Sequence, residues 1–297
     1  MADLTPIPAN DRSEEVSATL TKGAGAKRRR LRKLVNKAGW ILLILAPLTF
    51  VIAALGYKLG IFGIGVSFGV LNTKLGPILL ALCAIFGLAS LGLAFIVKPR
   101  KGLMIGILGL LVPLLAFAKL GATQKAVYEK YPFIHDVTTD TQDPPVFGSV
   151  VLAEREATKG VNTTDYVGKK APTYNAKKEP TGEALVSALQ SKSFPSIRPL
   201  ILDGSHEAVF NAALKTAKSM GWKIKEEDLE AGRIDATDTT FWYGFKDDVT
   251  IRLREANGGG IIVDVRSLSR VGGSDIGKNA ARVGAFLDTM SKAELAN

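Results

Sequence analysis

Three uncharged apolar runs dominate the first 120 residues: 38–57, 75–97 and 102–118, of 20, 23 and 17 residues. A helix needs about 20 residues to cross ~30 Å of hydrocarbon, so the first two predict spans outright. The third is at the lower limit and is expected to rely on Lys101 and Lys119 snorkelling at its ends. Pro47 and Pro113 fall inside runs one and three, where membrane helices tolerate proline better than soluble ones. Residues 59–73 are uncharged and rich in glycine, and are expected to form an interfacial or slightly re-entrant loop. Residues 1–37, polar and then basic, predict a disordered tail ahead of the helices.

A different periodicity appears after residue 200. Ser205 is placed to cap a helix through Met220, with Phe210, Ala213, Ala217 and Met220 on one face and Gly221 ending it. Short strands follow at 222–225 and 233–238. Residues 249–254 then alternate Val249, Ile251 and Leu253 with Thr250, Arg252 and Arg254, as in a strand with one buried face. A glycine-rich turn at 257–260 leads to a strand at 261–267. A last helix at 275–292 carries Ile276, Ala280, Val283, Leu287 and Met290 on one stripe. The expected fold class is α+β: three membrane helices, then a helix, a four-stranded antiparallel sheet and a C-terminal helix. Residues 120–200 are expected to form a linker and irregular segment, with brief helices at 122–130 and 183–191, and 201–297 the folded domain.

Charge adds orientation. Residues 1–38 carry a net +5, residues 39–119 a net +6 with no acid, and residues 120–297 a net −1. The basic groups crowd before run one (residues 27–37) and between runs two and three (Lys98, Arg100, Lys101), whereas the loop between runs one and two has only Lys58 and Lys74. The positive-inside rule therefore predicts a multi-pass protein of a bacterial inner membrane, with a cytoplasmic N-terminus and a periplasmic C-terminal domain. No acid or histidine falls within the spans, which disfavours transport. The single cysteine excludes an internal disulfide framework, and the neutral C-terminal part excludes nucleic-acid binding.

The strings IHDVTTDTQDPPVF (134–147), AGRIDATDTTFWYGFKDDVTIRL (231–253) and DVRSLSRVGGSDIGKNAARVGAFL (264–287) resemble the family called domain of unknown function 1499. The resemblance covers roughly 131–290, and three preceding helices are similar to the arrangement of many bacterial members. It implies no activity, ligand or catalytic residue.

Candidate chemistry is sparse. GGSDIGKN (272–279) approaches a phosphate-binding loop, but Asn279 lacks the hydroxyl that holds magnesium and Asp275 puts a carboxylate where phosphate needs amides. Helix capping by Asp275 or Ser274 is the simpler reading, so no nucleotide is expected. His135 and Asp136 are weak candidates for a general base or metal ligand, although neighbours in an extended chain point opposite ways. The densest polar constellation is Arg266, Ser267, Ser269, Arg270, Asp275, Asn279 and Arg282, with Asp247 and Asp248 one strand away. It reads either as a cationic spot for a lipid phosphate or peptide carboxylate, or as an internal network pairing the arginines with Asp247, Asp248 and Asp275. Trp242, Tyr243 and Phe245 line a groove or serve as packing. The expected function is a non-enzymatic binding module with no cofactor, its partners the bilayer and an envelope protein or lipid. The alternative is an envelope hydrolase using His135 with nearby Asp and Arg.

Overall fold

The computed structural model describes residues 9–175 and 179–294, and divides into two compact units, Met1–Leu120 and Gly121–Asn297. The first unit contains α1 (Ala9–Lys58), a wide-turn π-helix (Gly65–Leu75) running directly into α2 (Gly76–Ile96), and the body of α3 (Leu103–Glu129). Three of its helical stretches, Thr21–Lys58, Gly65–Ile96 and Leu103–Thr123, are long and apolar enough to cross a membrane. Close approach is bought with glycine. A Cβ on Gly87 would lie 2.8 Å from the backbone of Gly109, so α2 and α3 touch main chain to main chain. At one end Arg32 donates from Nη1 to the Val97 carbonyl (2.7 Å), covering an orphan acceptor at the end of α2, and Ser90 donates toward Asn36 and the Gly102 carbonyl.

Two expectations change here. The tail is helical from Ala9 and continuous with the first span, because the polar, helix-favouring residues 9–37 extend a helix already nucleated by the apolar run; residues 1–8 lie outside the described part. The glycine-rich loop is largely helix too, leaving only residues 59–64 between the first two spans.

The second unit begins at Gly121, so the stretch expected to be linker belongs to the domain. It contributes β1 (Asp136–Thr138), α4 (Ser149–Glu156), the hairpin β2 (Lys170–Tyr174) and β3 (Pro180–Leu185), α5 (Val186–Ser193) and β4 (Leu200–Leu202). The patterned region follows as α6 (His206–Ser219), β5 (Lys223–Asp228), β6 (Arg233–Thr239), β7 (Lys246–Glu255), β8 (Ile261–Ser269) and α7 (Lys278–Glu294). The main sheet has six antiparallel strands rather than four. Its path is β1-β8-β7-β6-β5, and β4 shares the outer edge of β8 with β1. Three-residue strands give no periodicity of their own, so only their partner reveals them.

One face of this sheet is the expected core. Ile234, Ala236, Val249, Ile251, Leu253, Ile261, Val263 and Val265 pack under α6 and α7, which supply Phe210, Ala213, Ala217, Val283, Phe286 and Met290. Trp222 stacks on Phe286 at 5.5 Å. Ser205 caps α6 by accepting from the Ala208 amide. Edge β1 is completed by a side chain: Gln190 of α5 donates to the Thr138 carbonyl (2.7 Å) and accepts from the Thr138 amide (3.0 Å), standing in for a strand.

Candidate functional site

The opposite face of the sheet is also buried, and it is built of charges. The register places Asp235, Thr237, Asp248, Thr250, Asp264, Arg266 and Arg270 on it, all buried, with Arg252 and Arg254 at its edge. Residues 139–147 and α4 cover it, and the small apolar cluster of Phe147, Val151 and Leu268 sits among the charges. A charge leaves water at a cost of several kcal/mol unless it is paired and fully hydrogen-bonded, which accounts for the strict pairing here.

Asp248 receives Arg155 (2.7 Å), Arg270 (2.7 Å) and the Thr237 hydroxyl (2.8 Å). Arg270 continues to Glu154 (2.7 Å), which also holds Lys225. Burial would raise Glu154, but the hydrogen bonds from Lys225 and Arg270 outweigh it and bring its carboxyl to about 2. Arg266 makes a fork to both carboxylate oxygens of Asp136 (3.0 and 2.8 Å), between the rings of Phe147 and Tyr166. Arg252 and Arg254 share Asp264 and reach out to Asp143 and Asp140.

On the helix-covered side, Arg282 binds Asp238 and Asp247 (2.7 Å each) and donates to Ser267. Asn279 accepts from Ser267 (2.7 Å) and donates to Ser269 and to the His135 carbonyl. Asp275 accepts the amides of Gly277 (2.8 Å) and Asn279 (2.9 Å), closing the start of α7. Burial lifts its carboxyl to about 6 despite those two amides. The turn holds Ile276 at a φ of 57°, an uncommon state for a β-branched residue.

The structure thus corrects the cationic-spot reading. Arg266, Arg270 and Arg282 are neutralised internally by Asp136, Asp248, Glu154, Asp238 and Asp247, and offer no free charge to a ligand. The GGSDIGKN loop is a capped helix start, with Gly273 and Gly277 packed on Phe133 and Tyr131.

One open cavity lies next to His135. This cavity of about 130 Å³ is lined by Phe133, Ile134, His135, Asp136, Lys169, Lys170, Ala171, Pro172, Val186 and Gly273. The His135 ring has both nitrogens engaged: Nδ1 donates to the Gly273 carbonyl at 3.2 Å, and Nε2 faces Lys169 Nζ at 3.3 Å. That pattern fits a neutral ring accepting from an ammonium. Burial is the main cause that holds the His135 pKa below its ordinary value; the Gly273 contact opposes it and Lys169 assists it. Burial likewise lowers Lys169, against the pull of Asp136. Among the described residues no carboxylate lies within 4.0 Å of Lys169, and Asp136 is taken by Arg266. Both weak candidates, His135 and Asp136, line this cavity, with Asp136 held by Arg266, whereas Asp247 and Asp275 do not line it.

Sequence reasoning missed Lys169, one of two adjacent lysines with no motif around it, and Glu154 and Arg155, which carry no signal except as an amphipathic turn. Among the described residues there is no group of three metal-ligating side chains. Curated proteins give no match to the chain. The family described as protein of unknown function (DUF1499) matches residues 136–290, from the first strand to the end of the last helix's buried stripe, and the chain belongs to that family.

Proposed function

We propose that this is a membrane-anchored, non-enzymatic binding protein that holds a small anionic ligand between Lys169 and His135. The reading extends to topology: the basic segment before the first span is cytoplasmic, and the second unit lies across the membrane, in the periplasm of a bacterium. One observation carries the proposal. Lys169 is a half-buried ammonium at a cavity with apolar walls, and among the described residues its hydrogen-bond partner is a neutral ring, while the buried Arg266 and Arg270 each have a carboxylate. A cation so placed favours an anion that brings its own apolar part against Phe133, Ile134, Ala171, Pro172 and Val186. The volume holds about four waters, which limits the buried portion to a carboxylate or phosphate with a short apolar stem.

Calorimetric titration of the detergent-purified full chain with butyrate and with inorganic phosphate tests this. Wild type and Lys192→Met, altered at an exposed lysine of α5, are expected to bind alike, and Lys169→Met to bind at least about tenfold more weakly. Equal binding by Lys169→Met overturns the site. Preference for butyrate or phosphate separates a carboxylate ligand from a phosphate one.

A further inference from the structure

The hairpin joining β6 to β7 presents its largest side chains to solvent. Phe241 is 76% exposed and Trp242 61% exposed, packed edge to face at 5.4 Å. The turn beneath them is firmly built: Thr240 accepts the Phe245 amide on its hydroxyl and donates its own amide to the Phe245 carbonyl (2.9 Å each), and Tyr243 stacks on Phe245 at 5.1 Å. A turn has no structural need of two adjacent outward aromatics, and exposed apolar surface of this kind marks a contact.

The register tells which end of the sheet the turn occupies. Thr239 pairs with Lys246, Asp247 with Ser269, and Leu268 with Asp136, the first residue of β1. The aromatic tip therefore leaves the sheet at the end where the chain enters it. Entry follows closely on α3. That helix ends at Glu129, and by Tyr131 the chain is already packed on Gly277 of the loop before α7, so Lys130 alone intervenes. From Ala118, the end of the uncharged apolar run, α3 rises about 17 Å over the eleven residues to Glu129.

We infer that the Phe241–Trp242 tip docks into the headgroup interface of the membrane that holds the three helices. The tether ends at this end of the domain, about three helical turns past the apolar run, and aromatic side chains are enriched at the membrane–water interface. The exposed Lys246 beside the tip complements anionic lipid.

The test uses the full chain with Cys83→Ser, reconstituted in nanodiscs of phosphatidylcholine and phosphatidylglycerol carrying a headgroup-proximal nitroxide lipid. An environment-sensitive fluorophore is attached at Thr239→Cys, beside the tip, or at Asn257→Cys, in the β7–β8 turn at the other end of the sheet. The Thr239 probe is expected to be quenched about twofold or more, the Asn257 probe not at all, and Phe241→Ser with Trp242→Ser to abolish the quenching. Absence of quenching at Thr239, or quenching that persists in the double variant, overturns the inference. A Thr239 probe shielded from aqueous iodide yet insensitive to the nitroxide means a protein covers the tip, and overturns it as well.

Discussion

Replacing Asp248 by Asn removes one charge and little volume from the centre of the buried polar face. Asp248 is fully buried and, among the described residues, is the one carboxylate bonded to Arg155, whose Nε has no partner among them, and it shares Arg270 with Glu154. The substitution leaves two buried guanidinium groups with one partly exposed carboxylate between them. Breaking a buried pair from one side costs about 3–5 kcal/mol, because the surviving charge has lost both water and partner. With a urea slope of about 2 kcal/mol per molar for a domain of this size, the unfolding midpoint should fall by roughly 1.5–2.5 M. Urea titration of the full chain in detergent, read by near-ultraviolet circular dichroism, measures it. In an Arg155→Met, Arg270→Met background the same Asp248→Asn change should cost under about 1 kcal/mol, since the stranded cations are gone. A small loss in the wild-type background, or an equal loss in both, refutes the view that this face is held by charge pairing.

Gln190→Leu should cost about 3 kcal/mol in the same assay, because it strands the Thr138 amide and carbonyl and the Tyr166 hydroxyl in the interior. Asp275 has its pKa raised from 3.8 to about 6, so the folded state binds its proton more tightly than the unfolded chain does. Its penalty is absent below about pH 4 and complete above about pH 6; wild type should therefore lose stability relative to Asp275→Asn across that window, and urea midpoints at half-unit pH steps would show no such divergence if the carboxyl titrates normally. Gly87→Leu forces a side chain into the Gly109 backbone and should loosen α2 from α3, seen as faster proteolysis of the detergent-solubilised helices with the sheet's circular dichroism unchanged.

The sequence pattern located everything that rests on period. Apolar runs predicted three spans, and the stripes of α6 and α7 and the alternation of β7 named many of the core residues, although Ile276, expected on the last helix, sits in the turn before α7 and outside the core. The same alternation misled on the other face. Thr250, Arg252 and Arg254 read as a solvent side, and the structure buries Thr250 under residues 139–147 and pairs both arginines with Asp264. Polar residues carry the same signature whether they face water or each other, and only the covering segment, itself without periodicity, distinguishes the two. The arginine–aspartate constellation was found from composition, but whether its charges were free depended on Asp136, Glu154 and Asp238, distant in sequence or on other strands. Lys169 left no sequence signal, because what matters at that position is that, among the described residues, no carboxylate pairs with it directly.

The ring of His135 offers the most direct reading of the cavity. Nitrogen-15 spectra of the histidine-labelled full chain, assigned with His135→Asn, report which ring nitrogen carries the proton and how that changes when butyrate or phosphate is added. The account predicts a neutral ring at pH 7 with the proton on Nδ1, the charged form appearing below the ordinary histidine value, and an Nε2 resonance that moves on addition of anion in wild type and stays fixed in Lys169→Met. A ring that titrates at the ordinary value, or an Nε2 resonance indifferent to both anions, would contradict it.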